Sequence, residues 1–243
     1  MISIEGVGHY LHAVNDDDEL PSLAARLAPL CREKFRRIDR FIQLALLGSA
    51  ECVGDRMLAP DCALYICSGL GPVGNNIVVQ EAIVGARKLP TPFHFVNTLG
   101  SSAGYYVARN LGLTGQSLFI SRRGDSLAAG LACAATDLAT GVVRQALLGV
   151  VEECTLPLRD HRARQALAAH APVAEGSHWL LLELRDRDAS PVAVSAGADA
   201  GSAHHDSRDA ALLASFVSGA PAGTYGFVDD GGAAGWRLSR VAT

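Results

Sequence analysis

One stretch of the sequence, residues 97–135, constrains the fold more than any other. It runs from a helix of small residues, through a turn at 112–115, into a short apolar strand at 117–120. A sharp corner at 121–124 then leads into an alanine- and glycine-rich helix. Such a corner presents a side chain at the end of a strand, beside a helix N-terminus whose free N–H groups favour negative charge. A nucleophile is therefore expected here, and the residues present are Arg122, Arg123, Gly124, Asp125 and Ser126.

Apolar patterns elsewhere predict several strands. Residues 2–11 alternate between apolar and polar or small residues, as in a half-buried strand. The continuous apolar run at 62–67 is typical of a strand buried on both faces, and a second buried strand is expected within 141–151. Two more strands are predicted at 178–184 and 192–195, on either side of a turn. We therefore predict an α/β fold in which a mixed, mostly parallel sheet is flanked by helices.

Helical spacing predicts helices between these strands. A short helix is expected within 21–31, and a longer one at 42–53 with Asp39 as its N-cap. A third follows the glycine-rich loop, at about 76–88, and residues 90–95 are expected to form a rigid connector.

The last part of the chain carries weaker signals. A short helix is predicted at 209–217, and residues 224–228 and 236–241 are expected to form a hairpin. We accordingly predict two units, a main domain at 1–197 and a C-terminal extension at 198–243 that caps it.

Composition limits the partners of this chain. The formal net charge is −4 at pH 7 with no basic block, so nucleic acid and anionic membranes are not expected to bind. No apolar run reaches the roughly 18 residues of a membrane span, and the N-terminus does not look like a signal peptide, so we expect a cytoplasmic protein. Hydrophobic residues make up 49% of the chain and charged ones 19%, which indicates either a large permanent interface or an alanine-rich bias.

No cofactor or metal site is predicted. The glycine-rich loop at 68–74 matches neither the dinucleotide-binding nor the P-loop spacing, so close packing explains its glycines better than phosphate binding. The six cysteines form no CxxC pair and are expected to be buried free thiols. His204 and His205 are interpreted as a solvated loop.

Five motifs in the right order resemble the N-terminal half of the β-ketoacyl synthases. IDRFIQLALL at 38–47 resembles their helix that begins MDRF, and SGLG at 68–71 resembles their GSGIGG loop. Residues 93–115 are similar to the segment that opens with FFVP and ends in GLxGP, and residues 117–126 to the strand and elbow SxxxATACSS. Residues 173–183 are similar to the strand GEGAGxLVLE. The resemblance implies half of a thiolase-like fold.

Two departures from the family bear on activity. The position of the nucleophilic cysteine is occupied by Gly124, which has no side chain to attack a thioester. The chain also has no counterpart of the second half that carries the family's catalytic histidines. The resemblance therefore implies a non-catalytic subunit of the chain-length-factor kind, known from aryl polyene and xanthomonadin pigment synthases, in polyketide or fatty-acid-like biosynthesis. Its implied partners are a full-length ketosynthase, in a heterodimer, and an acyl carrier protein reached through that complex.

In such pairs the inactive subunit closes the far end of the partner's acyl tunnel, and the strand before the elbow pairs across the two-fold axis. The resemblance assigns the tunnel and gate to Leu70, His94, Phe95, Thr98, Ser101 and Tyr105. It assigns the interface to Ser117, Phe119, Ser121, Arg122 and Arg123. Ordinary packing for Leu70 and Tyr105, and solvated charges for the two arginines, remain open as alternatives.

Two other interpretations use different chemistry. Gly124, Asp125, Ser126 and Leu127 spell GDSL, the first block of a class of ester hydrolases in which the serine is the nucleophile. Those enzymes need an aspartate three residues before their catalytic histidine, and none of the eight histidines here has one. A structural homodimer with a thiolase-like fold is the other alternative.

Overall fold

The computed structural model describes residues 2–15, 17, 19–122 and 125–184, together with three strands at 192–197, 223–228 and 235–240. The strands are β1 (Ile2–Val14), β2 (Ala63–Cys67), β3 (Ser117–Ile120), β4 (Gln145–Glu152), β5 (Val173–Leu184), β6 (Val192–Gly197), β7 (Gly223–Val228) and β8 (Gly235–Arg240). The helices are α1 (Ala24–Leu27), α2 (Arg40–Val53), α3 (Val73–Gln80), α4 (Pro92–Asn97), α5 (Gly100–Leu111), α6 (Ser126–Ala139) and α7 (Leu158–Arg164). A single π-helical turn, Glu81–Gly85, extends α3.

The strands form one sheet in the order β3-β2-β4-β5-β1-β6-β8-β7. The sheet is mixed, as predicted, but the expectation that it is mostly parallel was wrong. Only β2 pairs in parallel, with β3 on one side and β4 on the other, and the other pairings are antiparallel. The connections from β2 to β3 and from β3 to β4 contain the helices α5 and α6, which carry the chain back across the sheet so that these strands run in parallel.

Helices cover both faces of the sheet and enclose two apolar clusters. One cluster lies between the sheet and α6, around Leu127, Leu131 and Leu180. The other lies beneath α2 and α5, around Phe41, Ile66 and Trp179. Every residue of β2 is buried, which confirms the prediction of a strand covered on both faces.

Helix α2 packs directly against strand β1. Its N-cap is Asp39, whose side chain accepts a hydrogen bond from Ile42 N at 2.9 Å, as the sequence predicted. A Cβ at Gly8 of β1 would overlap the backbone oxygen of Gly48, so only a glycine allows helix and strand to approach this closely.

Two predicted helices differ in extent from the observed ones, and one predicted connector was wrong. The helix expected within 21–31 is only the four residues of α1, and the one expected at 76–88 begins three residues earlier and turns π-helical after Gln80. The connector expected at 90–95 is instead largely helix α4, because Thr91 caps it and Pro92 occupies the first turn, where a missing N–H costs nothing.

The C-terminal strands continue the same sheet. β7 and β8 pair as the predicted hairpin, and β8 pairs with β6. β1 lies between β5 and β6, so those two strands, consecutive in the chain, are not neighbours. The division at 197/198 remains a prediction, and the helix at 209–217, His204 and His205 lie outside the described residues. Within the described part of the chain, no helix has the length and apolarity to cross a membrane.

Candidate functional site

The corner after β3 is held by the first residue of α6. Ser126 is buried, and its hydroxyl donates to Ser68 O at 3.1 Å and accepts from Arg122 N at 2.8 Å. No histidine among the described residues hydrogen-bonds to this hydroxyl, and its proton already points at a carbonyl. The geometry therefore gives Ser126 a structural role, and within the part of the chain that the structure describes no base of the kind an ester hydrolase needs lies beside it. Arg123 and Gly124, the predicted nucleophile position, lie outside the described residues.

Two glutamates at the end of β4 accept hydrogen bonds from backbone N–H groups of the glycine-rich loop. Glu152 accepts from Gly69 N at 2.6 Å and from the Ser68 hydroxyl at 3.1 Å. Glu153 accepts from Gly74 N at 2.6 Å. Because carboxylates of the same chain occupy these donors, the loop does not present them to a phosphate. This agrees with the packing interpretation of the loop.

The buried acidic groups extend beyond this loop. Arg40 pairs with Glu175 through two hydrogen bonds, from Nε at 2.6 Å and from Nη2 at 2.5 Å, and Glu175 is completely buried. Burial raises the pKa of the Glu153 carboxyl to about 8, helped by the nearby charges of Asp39 and Glu175. Burial likewise raises the pKa of Asp39 to about 6. Arg40 thus neutralises Glu175 and also lies near Glu153, whereas Asp39 and Glu153 hold protons more readily than usual.

A pocket of about 500 Å³ opens between the start of α2 and helix α4. It is lined by Arg37, Ile38, Asp39, Asn75, Thr91, Phe93, His94 and Asn97. Two buried amides hold its walls together: Asn75 donates to the backbone oxygen of His94, and Asn97 donates to Arg37 O at 3.0 Å. The Arg37 guanidinium lies 4.5 Å from the centre of the Phe93 ring, at a distance typical of a cation–π contact.

The residues predicted to form the gate lie mainly at the surface of α4 and α5. His94, Phe95, Ser101 and Tyr105 are exposed, whereas Thr98 and Leu70 are half-buried. The Thr98 hydroxyl donates to Phe95 O at 2.7 Å, and the Tyr105 hydroxyl accepts from Arg109 Nη1 at 2.8 Å. Apart from Leu70, which lies in the loop after β2, these residues come from one stretch of the sequence.

Around these residues the exposed side chains are unusually apolar. We use the name apolar surface for Phe93, Phe95, Val96, Leu99 and Tyr105. Phe95 is 60% exposed and Tyr105 57%. Single exposed apolar residues are ordinary in proteins, but five within 13 consecutive residues mark a surface suited to a partner.

The predicted interface strand β3 is at the edge of the sheet and, among the described strands, pairs only with β2. Its backbone is therefore available to another strand. Most of the predicted interface side chains, however, are used within the chain. Ser117 faces Gly104 and Phe119 faces Gly100, both on α5. The Ser121 hydroxyl donates to Gly69 O at 3.2 Å, and Arg122 forms an ion pair with Asp125 at 3.1 Å.

Sequence reasoning missed two features of this region. It left Glu152, Glu153 and Glu175 without a role. Glu152 and Glu153 follow one another at the end of a buried strand, and buried carboxyl groups need polar partners within the same chain. It also missed the pocket beside Asp39, because the three segments that line it are far apart in the chain.

No protein-family model matches the sequence, and no curated protein matches it either. Solved structures do resemble it. One is a ketosynthase (ApeO) in complex with its chain length factor (ApeC) from Xenorhabdus doucetiae, with 15% identity and a TM-score of 0.66 over 98% of this chain and 99% of that one. Another is the ishigamide ketosynthase/chain length factor, with 18% identity and a TM-score of 0.64 over 81% of this chain and 67% of that one.

A third is a type II PKS acyl-carrier protein in complex with its ketosynthase bound to the hexaketide (AntDE:AntF). Identity there is 15%, with a TM-score of 0.55 over 75% of this chain and 57% of the other. The coverage in the first match means that this chain and its counterpart have similar lengths. At these identities the likeness is one of fold, and it agrees with the five motifs: the chain has the thiolase-like fold of ketosynthases and chain length factors.

Proposed function

We propose that this chain is a non-catalytic, chain-length-factor-like subunit that pairs with a catalytic β-ketoacyl synthase and shapes its acyl tunnel. The observation that carries the proposal is the apolar surface, which contains the gate residues Phe95 and Tyr105 and adjoins exposed His94 and Ser101. An exposed arrangement of this kind gains its apolar contacts only when another subunit covers it.

The sheet edge supports the same proposal. β3 offers a row of backbone groups that β2 does not use, so a strand of the ketosynthase would extend the sheet across the interface. Leu70 and His94 would then face the end of the partner's tunnel. A bulky side chain there disfavours longer acyl chains by steric overlap, so a subunit without a nucleophile would still select the product.

Two structural neighbours are described as ketosynthases together with chain length factors, and another as a ketosynthase with an acyl-carrier protein. By analogy, the partners of this chain would be a ketosynthase and, through the complex, an acyl carrier protein. Aryl polyene biosynthesis in the cytoplasm is the specific setting that the sequence resemblance favours.

Co-expression with a full-length ketosynthase from the same gene neighbourhood tests the proposal. Size-exclusion chromatography should give a 1:1 complex, and the complex should condense acyl units whereas this chain alone should not. A homodimer that ignores the ketosynthase would support the structural alternative instead. Ester hydrolysis by the isolated chain, abolished by Ser126→Ala, would overturn the proposal.

Substitution of His94 tests the gate. In the co-expressed complex, His94→Ala should lengthen the products and His94→Trp should shorten them, because the side chain is exposed beside the apolar surface. Thr114→Ala, a change at an exposed residue after α5, is the control and should leave the distribution unchanged. Unchanged product lengths across several His94 variants would count against its role as a gate.

A further inference from the structure

The aromatic ring of Phe119 lies beneath the candidate gate. Phe119 is on edge strand β3, where the sequence resemblance makes it an interface residue, but its ring turns inward toward α5 and α2. There it meets the Phe41 ring edge-on, with 6.1 Å between the ring centres. Phe41 is completely buried, whereas Phe119 is half-buried, so the Phe119 ring lies between the core and the surface.

Two glycines make room for this ring. A Cβ added at Gly100, the first residue of α5, would overlap three carbons of the ring. A Cβ added at Gly71 would lie 3.3 Å from Cζ, at the tip of the ring. The tip therefore points toward the loop after β2, and the side of the ring lies against the start of α5.

These glycines are direct neighbours of gate residues. Gly71 follows Leu70, and Gly100 precedes Ser101. The ring thus fills the space between the loop that carries one part of the gate and the helix that carries another. Removing it would open a cavity at the base of the gate, since the backbone at Gly71 and Gly100 offers no side chain to fill the gap.

We propose that Phe119 is a chain-length-determining residue whose ring sets the depth of the gate. This rests on the proposed function, because the gate acts on the acyl chain held by the ketosynthase partner. The ligand that Phe119 would meet is the apolar end of that chain. A smaller side chain at Phe119 would admit longer products, and a side chain at Gly100 would push the ring outward and exclude them.

The test compares variants of the full chain, each co-expressed with the ketosynthase, by the length distribution of the products at matched amounts of complex. Phe119→Leu should shift the distribution to longer chains by at least one two-carbon unit, and Phe119→Ala should shift it further. Gly100→Ala should shift it to shorter chains. The double variant Phe119→Leu with Gly100→Ala should return toward the wild-type distribution.

Matched controls distinguish the effect of the Phe119 ring on product length from a general loss of structure. Gly104→Ala adds the same methyl group one turn further along α5, where it would meet the Ser117 hydroxyl instead of Phe119. Ile120→Ala removes a neighbouring apolar side chain of β3, which packs against the cluster beneath α6. Both controls should keep the wild-type product length even if they lower total turnover.

The outcomes distinguish this inference from the proposed function. If His94 variants change product length but neither Phe119→Leu nor Gly100→Ala does, the inference about Phe119 is wrong and the proposed function stands. If no complex forms with the wild-type chain, the proposed function itself fails. Should Phe119→Ala fail to assemble, the opposite shifts expected from Phe119→Leu and Gly100→Ala still decide the question.

Discussion

Two regions of this molecule differ in how their side chains are used. Behind the corner, several buried polar groups are hydrogen-bonded within the chain: Ser126 to Ser68, Ser68 to Glu152, and Glu175 to Arg40. On the apolar surface, by contrast, Phe95 and Leu99 are more than half exposed. The buried hydroxyl at the start of α6 is thus engaged in structural hydrogen bonds, while the side chains beside the sheet edge are exposed. This difference is the basis of the proposal that the chain acts through a partner subunit.

The largest effect is expected from breaking the buried ion pair. Arg40→Gln leaves Glu175, which is completely buried, without its cation and close to Glu153. We expect a loss of about 3 kcal/mol in the free energy of unfolding, measured by urea titration. Arg159→Gln, which removes an exposed ion pair with Asp160, is the control and should change stability by less than about 1 kcal/mol. Equal effects of the two changes would mean that the buried pair does not stabilise the fold.

Charges on the apolar surface should affect association and not folding. Phe95→Asp combined with Leu99→Asp should weaken the complex with the ketosynthase by about 100-fold or more, since each carboxylate would be buried without a partner. The melting temperature of the isolated chain should stay the same, because both side chains are exposed. Met57→Asp, at a residue that is 89% exposed elsewhere, should leave binding unchanged. Binding that survives the double change would move the interface away from this surface.

The pH dependence of stability should report on Glu153. Burial raises its pKa to about 8 from an ordinary value of 4.5, so the folded state binds a proton that the unfolded state releases between these values. Stability should therefore fall as pH rises from about 4.5 to about 8. Glu153→Gln should flatten this part of the profile, measured by urea titration at several pH values, whereas exposed Glu81→Gln should not. A profile that keeps its slope in Glu153→Gln would assign the slope to other groups.

The smallest effect is expected at Ser126. Ser126→Ala removes a hydroxyl that donates to Ser68 O and accepts from Arg122 N, and should lower the free energy of unfolding by about 1 kcal/mol. The product lengths of the complex should not change, because the hydroxyl is buried behind the corner. A shift in product length would show that the corner and the gate are coupled.

Local signals in the sequence located much of the fold. Asp39 caps α2 as predicted, β2 is buried on both faces, and β3 precedes the corner. Each depends on residues within one element, where periodicity and capping chemistry are sufficient. The predicted connector at 90–95 was wrong, because Thr91 and Pro92 together begin a helix there.

Some parts of the candidate site could likewise be predicted from the sequence, and others could not. The exposed gate residues on α4 and α5 follow from a single stretch of sequence, and their roles remain a proposal. The pocket beside Asp39 and the inward direction of Phe119 did not follow, because both depend on segments brought together from distant parts of the chain.

The sequence by itself determined strand β3 and the helix α6 that follows it, and it predicts Gly124 at the position where the resemblance expects a cysteine. Only the tertiary structure decided which neighbours each side chain has. It brought Glu153 and Glu175 close to Arg40 and turned Phe119 toward Gly100. The physical reason is that backbone preferences act over a few residues, whereas burial, ion pairing and ring packing depend on contacts between residues that the fold brings together.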